Sequence, residues 1–90
     1  TYAWELINGN WWAFDENGYS KPGWLRDDLL DGWFYIDTDR GMLTGWVQIQ
    51  GFWYYLNPLS DGKRGIMYAG QRTPDGYYLN ENGTWDGKEK

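Results

Sequence analysis

An aromatic cluster closed by Asp or Asn recurs along this chain, and missing such a repeat would misread the whole fold. The copies are Trp11-Trp12-Ala13-Phe14-Asp15, Trp33-Phe34-Tyr35-Ile36-Asp37 and Trp53-Tyr54-Tyr55-Leu56-Asn57, spaced 22 and 20 residues apart. Tyr77-Tyr78-Leu79-Asn80 is a fourth, shortened copy. A second column, Trp4, Trp24 and Trp46, runs seven to nine residues ahead, and a glycine follows each cluster at Gly18, Gly41, Gly65 and Gly83. The repeats run over about 2–22, 23–44, 45–68 and 69–87, three clear and the last degenerate. Pro58 to Arg64 lengthens one loop without disturbing the pattern.

Each repeat reads as a β-hairpin. A first strand such as Trp46-Val47-Gln48-Ile49 leads to the cluster through Asn8-Gly9, Asp31-Gly32, Gln50-Gly51 or Asp75-Gly76. Asn-Gly and Asp-Gly supply the positive φ that tight hairpin turns require, and aromatic residues suit the pleated strands on either side. No stretch holds a 3.6-residue apolar period, so no long helix is expected. A lone hairpin is marginal in water, so neighbouring units must stack to bury their apolar faces. The expected fold is all-β, a β-hairpin repeat solenoid forming one domain.

Composition sharpens this reading. Of 90 residues, 8 are Trp, 8 Tyr and 3 Phe, an aromatic excess at odds with an ordinary aliphatic enzyme core. With Cys and His both at zero, disulfides, thiolate metal sites and the commonest general base are excluded. A net charge of −5 opposes a phosphate backbone, so no nucleic-acid partner is expected, and a cation would be tolerated. No apolar run reaches the roughly 18 residues of a membrane span. The chain opens abruptly on aromatic sequence with no signal-peptide pattern, as expected of a fragment of a longer protein.

The run Gly45-Trp46-Val47-Gln48-Ile49-Gln50-Gly51-Phe52-Trp53-Tyr54-Tyr55-Leu56-Asn57, continuing to Gly65-Ile66-Met67, resembles the choline-binding or cell-wall-binding repeat. Gly23-Trp24 through Gly41-Met42-Leu43-Thr44 resembles it next best, and Thr73 to Trp85 is similar to the family's degenerate terminal unit. That family occurs on surface proteins, autolysins and phage lysins of Gram-positive bacteria. The resemblance implies a secreted, cell-surface module without catalysis or cofactor, docking phosphocholine of teichoic acids and anchoring a neighbouring module.

A quaternary ammonium donates no hydrogen bond, so aromatic faces arranged as a cage are its best partners. Carried over from the family, one cage would use Trp4, Trp11 and Trp33, and a second Trp24, Trp33 and Trp53. Met42 and Met67 match the family's cage methionine, whereas the first repeat has Tyr19-Ser20 in that place. A third cage would use Trp46 and Trp53, but the fourth unit offers Gly76 or Tyr77 where tryptophan is expected. Strand alternation puts Trp12, Phe34 and Tyr54 on the face opposite Trp11, Trp33 and Trp53. Phe14, Ile36, Leu56 and Leu79 are then expected in the core.

Plainer roles compete with these. The tryptophan columns could be packing alone. Asp27-Asp28 with Asp31 reads as a solvated turn rather than a glycosidase pair, and Asp37 to Gly41 as a turn rather than a calcium loop. Lys63-Arg64 reads as a solvated loop tip. The main alternative function is a glucan- or glycan-binding module with aromatic platforms, and a third is a structural or adhesin stalk. Choline requires three converging faces, while a glycan requires an open platform flanked by hydrogen-bond donors.

Overall fold

In a computed structural model, which describes residues 2–89, all the regular structure is strand. The described residues divide into two compact units, one ending at Leu43 and the other starting at Thr44. Each unit is built from two successive hairpins.

In the first unit, β1 (Ala3–Ile7) pairs antiparallel with β2 (Asn10–Phe14), with Trp4 opposite Ala13 and Leu6 opposite Trp11. Asn8 and Gly9 take φ of 52° and 84°, the pair of positive values expected of a two-residue hairpin turn. The second hairpin joins β3 (Gly23–Asp27) to β4 (Gly32–Asp37), and β5 (Gly41–Met42) adds a third strand. Here the expected Asp31-Gly32 turn is replaced by a four-residue loop, 28–31, and Gly32 already belongs to β4. The cause lies one residue earlier. Asp27 is buried, and its carboxylate accepts the backbone N–H groups of Leu29 (2.9 Å) and Leu30 (3.1 Å), capping a wider loop. Asp31 then closes it at φ 57°.

In the second unit, β6 (Gly45–Ile49) pairs with β7 (Phe52–Leu56) through Gln50 and Gly51, at φ of 52° and 86°. Its other hairpin is abbreviated: β8 (Gln71–Arg72) and β9 (Tyr78–Leu79) are two residues each. Thr73 caps the turn between them, its hydroxyl accepting the Tyr77 N–H at 3.2 Å and its own N–H donating to the Tyr77 carbonyl at 2.8 Å.

The Asp or Asn that ends every aromatic cluster organises the turn that follows. Asp15 accepts from the N–H groups of Asn17 and Tyr19, and Asp37 from those of Asp39 and Arg40. Asn57 accepts from Leu59 N–H and donates to Asp61 and to the Lys63 carbonyl. Asn80 instead donates its amide to the Thr84 hydroxyl.

After each turn the chain returns alongside the second strand, and three repeats share one register. Ile36 lies opposite Met42, Leu56 opposite Met67 and Leu79 opposite Trp85. The next residue donates its N–H to the carbonyl just before the aliphatic one: Leu43 to Tyr35, Tyr68 to Tyr55, Asp86 to Tyr78. This return strand also seats one hairpin on another. A Cβ built on Gly41 would stand 2.5 Å from the Trp11 carbonyl oxygen and 3.1 Å from the Trp12 ring, so only glycine fits there, at φ 74°. In the second unit Thr84 bridges to Tyr54, and Trp85 N–H donates to the Trp53 carbonyl at 2.8 Å.

The cores follow the expected column at Ile36, Leu56 and Leu79, all essentially fully buried, and Phe34 joins them. Phe14 does not: it is half-buried, while its neighbour Ala13 is buried. Tyr55 is buried as well, and burial first, then Tyr68 and Asp75, pushes its phenol above the usual tyrosine value.

Candidate functional site

The tryptophan near the start of the second strand is exposed in each of the first three hairpins. Trp11, Trp33 and Trp53 retain 38%, 42% and 40% of their surface, against 1% for Phe34 on the opposite face. This is the parity expected of rings available to a ligand.

The second unit brings four aromatic side chains together around a pocket of about 320 Å³: Trp46, Trp53, Tyr77 and Trp85. Trp46 comes from β6 and Trp53 from β7, while Tyr77 ends the turn before β9 and Trp85 lies on the return segment. The rings meet edge to face, Trp46 with Tyr77 at 5.7 Å and 89°, and Tyr77 with Trp85 at 6.1 Å and 82°. Such contacts hold rings steeply inclined to one another, so that they wall a cavity instead of collapsing into a stack. Trp46 is backed by Tyr55 at 5.1 Å, and the Trp85 indole N–H donates to the Lys88 carbonyl at 3.1 Å, which fixes the ring's orientation. All four lining side chains are aromatic, with no carboxylate among them. A cation entering it would be held by ring faces rather than by an ion pair.

This pocket lies at the position expected for the third cage, the one whose last unit departs from the repeat pattern. Tyr77 takes a lining position, and Trp85, which the repeat pattern assigns to no cage, supplies a fourth ring. A signal for Trp85 was present: it stands two residues after Gly83, as Met67 stands two residues after Gly65. Met67 itself is half-buried beneath Gly83, where a Cβ would approach its sulfur to 2.2 Å, and is not among the pocket's lining residues.

Trp4, Trp11 and Trp33 all belong to the first unit. Trp4 is occupied by packing: its ring lies 4.8 Å from Phe34, and its indole N–H donates to the buried Asp27 carboxylate at 2.8 Å. Asp27 is therefore a structural acceptor rather than part of a solvated turn. Met42 is half-buried on β5. Trp24 packs edge-on against Tyr35 at 5.2 Å and lines a separate cleft in the same unit.

Antiparallel hairpins repeated with a tryptophan on the first strand of three of them, a closing glycine and a ring-walled pocket define a class of aromatic repeat modules. The profile of the cell wall binding repeat matches residues 44–58, the third hairpin. A choline binding domain from Streptococcus pneumoniae is 30% identical over 94% of this chain and 94% of its own, with a TM-score of 0.75. The chain belongs to this choline-binding, cell wall binding repeat family.

Choline binding protein F, also from Streptococcus pneumoniae, is 31% identical over 94% of this chain in its complex with ipratropium, with a TM-score of 0.79. A second structure of it, in the presence of a peptidoglycan analogue (tetrasaccharide-pentapeptide), is 34% identical. Alternansucrase from Leuconostoc mesenteroides is 25% identical over 96% of this chain, with a TM-score of 0.69. The chain spans 25% of choline binding protein F and 7% of alternansucrase. No curated protein sequence matches it significantly.

Proposed function

We propose that this chain is a non-catalytic module that attaches its parent protein to the Gram-positive cell wall by caging choline of teichoic acids. The observation that carries the reading is the convergence of Trp46, Trp53, Tyr77 and Trp85 on one pocket. A trimethylammonium group spreads its charge over methyl surface and donates no hydrogen bond, so it loses little on leaving water and gains the faces of the rings. A primary ammonium carries three donors that the four rings leave unsatisfied. The net charge of −5 favours approach of a cationic group such as the trimethylammonium of choline. Kinship with a choline binding domain supports this ligand, and ipratropium, bound by choline binding protein F, is itself a quaternary ammonium.

Ring contacts of about 0.5–2 kcal/mol each, offset in part by the cost of immobilising the ligand, give one cage a dissociation constant on the order of millimolar. Secure attachment then comes from several cages engaging one polymer, through effective concentration. Calorimetric titration tests this. Choline is expected to bind in the millimolar range with ethanolamine at least tenfold weaker, and Trp85→Ala to weaken choline about tenfold at temperatures well below its melting point, which falls modestly with the lost Tyr77 contact. Equal binding of both amines, or unchanged choline binding in Trp85→Ala, would contradict the assignment.

A further inference from the structure

An asparagine followed by glycine can react without an enzyme, because glycine puts no side chain in the way of its own nitrogen. The chain carries three such pairs, Asn8-Gly9, Asn17-Gly18 and Asn82-Gly83. A base removes the glycine amide proton, and the nitrogen attacks the asparagine Cγ. The Cγ–Nδ2 bond then breaks, and ammonia leaves after taking a proton from water. Water opens the resulting five-membered imide at either carbonyl, giving aspartate or isoaspartate. The reaction needs a free glycine N–H, an uncommitted asparagine amide and access for water.

The fold treats the three pairs differently. Gly18 N–H donates to the Asp15 carbonyl at 2.9 Å, and Gly83 N–H to the Asn80 carbonyl at 2.9 Å. A hydrogen bond donated by the neutral amide opposes loss of its proton. Asn17 is pinned through its own N–H by the Asp15 carboxylate. The Asn82 Oδ1 accepts from the Thr84 N–H (3.1 Å) and hydroxyl (2.7 Å), and Gly83 is buried against Met67. Asn8-Gly9 has none of these restraints. It forms the exposed tip between paired Ile7 and Asn10. Among the described residues, neither the Asn8 side chain nor the Gly9 N–H makes a hydrogen bond. Nothing lies within 4 Å of where a Gly9 Cβ would stand.

The third hairpin supplies a resistant version of the same turn. Gln50-Gly51 takes φ of 52° and 86°, against 52° and 84° for Asn8-Gly9. Glutamine must close a six-membered ring, which forms far more slowly.

We propose that Asn8 is the chain's site of spontaneous deamidation and isoaspartate formation, and that this change ages the first unit selectively. Isoaspartate adds one methylene to the backbone where only two residues join Ile7 to Asn10, together with a negative charge, so the tip of the β1–β2 hairpin loses its fit. The proposal does not depend on the choline reading, because neither Asn8 nor Gly9 lines the second unit's pocket.

The test is incubation of the whole chain in mildly alkaline buffer, with each asparagine followed by fragmentation mass spectrometry. Asn8 is expected to convert about tenfold faster than Asn17 or Asn82 in the folded chain. In concentrated urea the three are expected to convert at similar rates. Asn8→Gln is expected to fold, as Gln50-Gly51 does, and to abolish the early conversion. In the converted wild type, amide exchange should quicken in β1 and β2 while choline shifts at the Trp85 indole stay unchanged. Conversion of Asn17 or Asn82 as fast as Asn8, a preference for Asn8 that persists in urea, or unchanged exchange after conversion would each overturn the proposal.

Discussion

Trp4 and Trp46 hold the same place in their repeats, yet the two units use them differently. Trp4 is half-buried, packed on Phe34 and hydrogen-bonded to Asp27, so both its ring and its N–H serve the fold. Trp46 is held on one side by Tyr55 and on the other turns toward an open pocket with Tyr77 and Trp85. The difference comes from the hairpin that follows within each unit. In the first unit that hairpin is full length, with a five-residue β3, and supplies both the buried Phe34 and the carboxylate of Asp27. In the second unit β8 has two residues, and Thr73, buried at the equivalent turn, spends its hydroxyl on Tyr77. Shortening the last hairpin leaves a space that is walled by rings instead of filled by them. A column of identical residues is thus no guarantee of identical function, because the succeeding repeat decides whether the tryptophan is filler or wall.

The two closing glycines offer the most forceful way to separate the units. Alanine at Gly41 would collide with the Trp11 carbonyl, a backbone atom fixed in the β1–β2 hairpin, and would also hold an unfavourable φ. Alanine at Gly83 meets Met67, a flexible side chain that can move aside, so the same strain comes with less overpacking. Gly41→Ala is expected to cost roughly 3 kcal/mol or more and Gly83→Ala roughly 1–2 kcal/mol. Chemical denaturation followed by residue-resolved amide exchange would assign each loss to its unit. A larger loss for Gly83→Ala would contradict the packing described for the return strands.

A milder pair of substitutions tests the tryptophan comparison itself. Trp4→Phe removes the donor to Asp27 and leaves a buried carboxylate oxygen without its partner, an expected loss of about 1–3 kcal/mol of stability. Choline binding should not change. Trp46→Phe keeps a ring in the wall but offers a weaker face to a cation, so affinity should fall several-fold while stability moves little. Thermal melts with and without choline distinguish the two, and an exchange of these outcomes would reverse the roles.

The smallest expected effects are in pH dependence, and they lie at opposite ends of the scale. Backbone N–H groups of Asp39 and Arg40 hold the Asp37 carboxyl below its ordinary 3.8. That contribution is complete above 3.8 and is lost as pH falls through the lower folded value, so only acid below pH 3.8 should weaken the first unit. Burial raises the Tyr55 phenol above 10.0. Its contribution is complete below that value and is lost as pH rises through the folded one, so alkali should weaken the second unit. Asp37→Asn should flatten the acid limb and Tyr55→Phe the alkaline limb in melts run from pH 2.5 to 11.

Much of this was legible in the chain because repetition multiplies weak signals. One Trp-Tyr-Tyr cluster could belong anywhere, but clusters in register with a glycine behind each specify hairpins and their closing turns. Ile36, Leu56 and Leu79 were readable as core from strand parity alone. Other features depended on side chains acting across the hairpins. Asp27 looks like any turn aspartate until the Trp4 indole is placed over it, and its capping widens the loop that Asp31-Gly32 alone would have made tight. Phe14 has the right parity, yet it lies in the first repeat, and Ala13 takes the buried place beside it. Trp85 is not legible as a site residue because its equivalence to Met67 is expressed in strand register, opposite Leu79 and Leu56, rather than in residue likeness.

The central claim is that four rings of the second unit form a choline cage, and a crystal structure of the chain grown with choline tests it most directly. The trimethylammonium group is expected among Trp46, Trp53, Tyr77 and Trp85, within about 6 Å of the ring centroids. Choline bound elsewhere, with that pocket occupied by water alone, would contradict it.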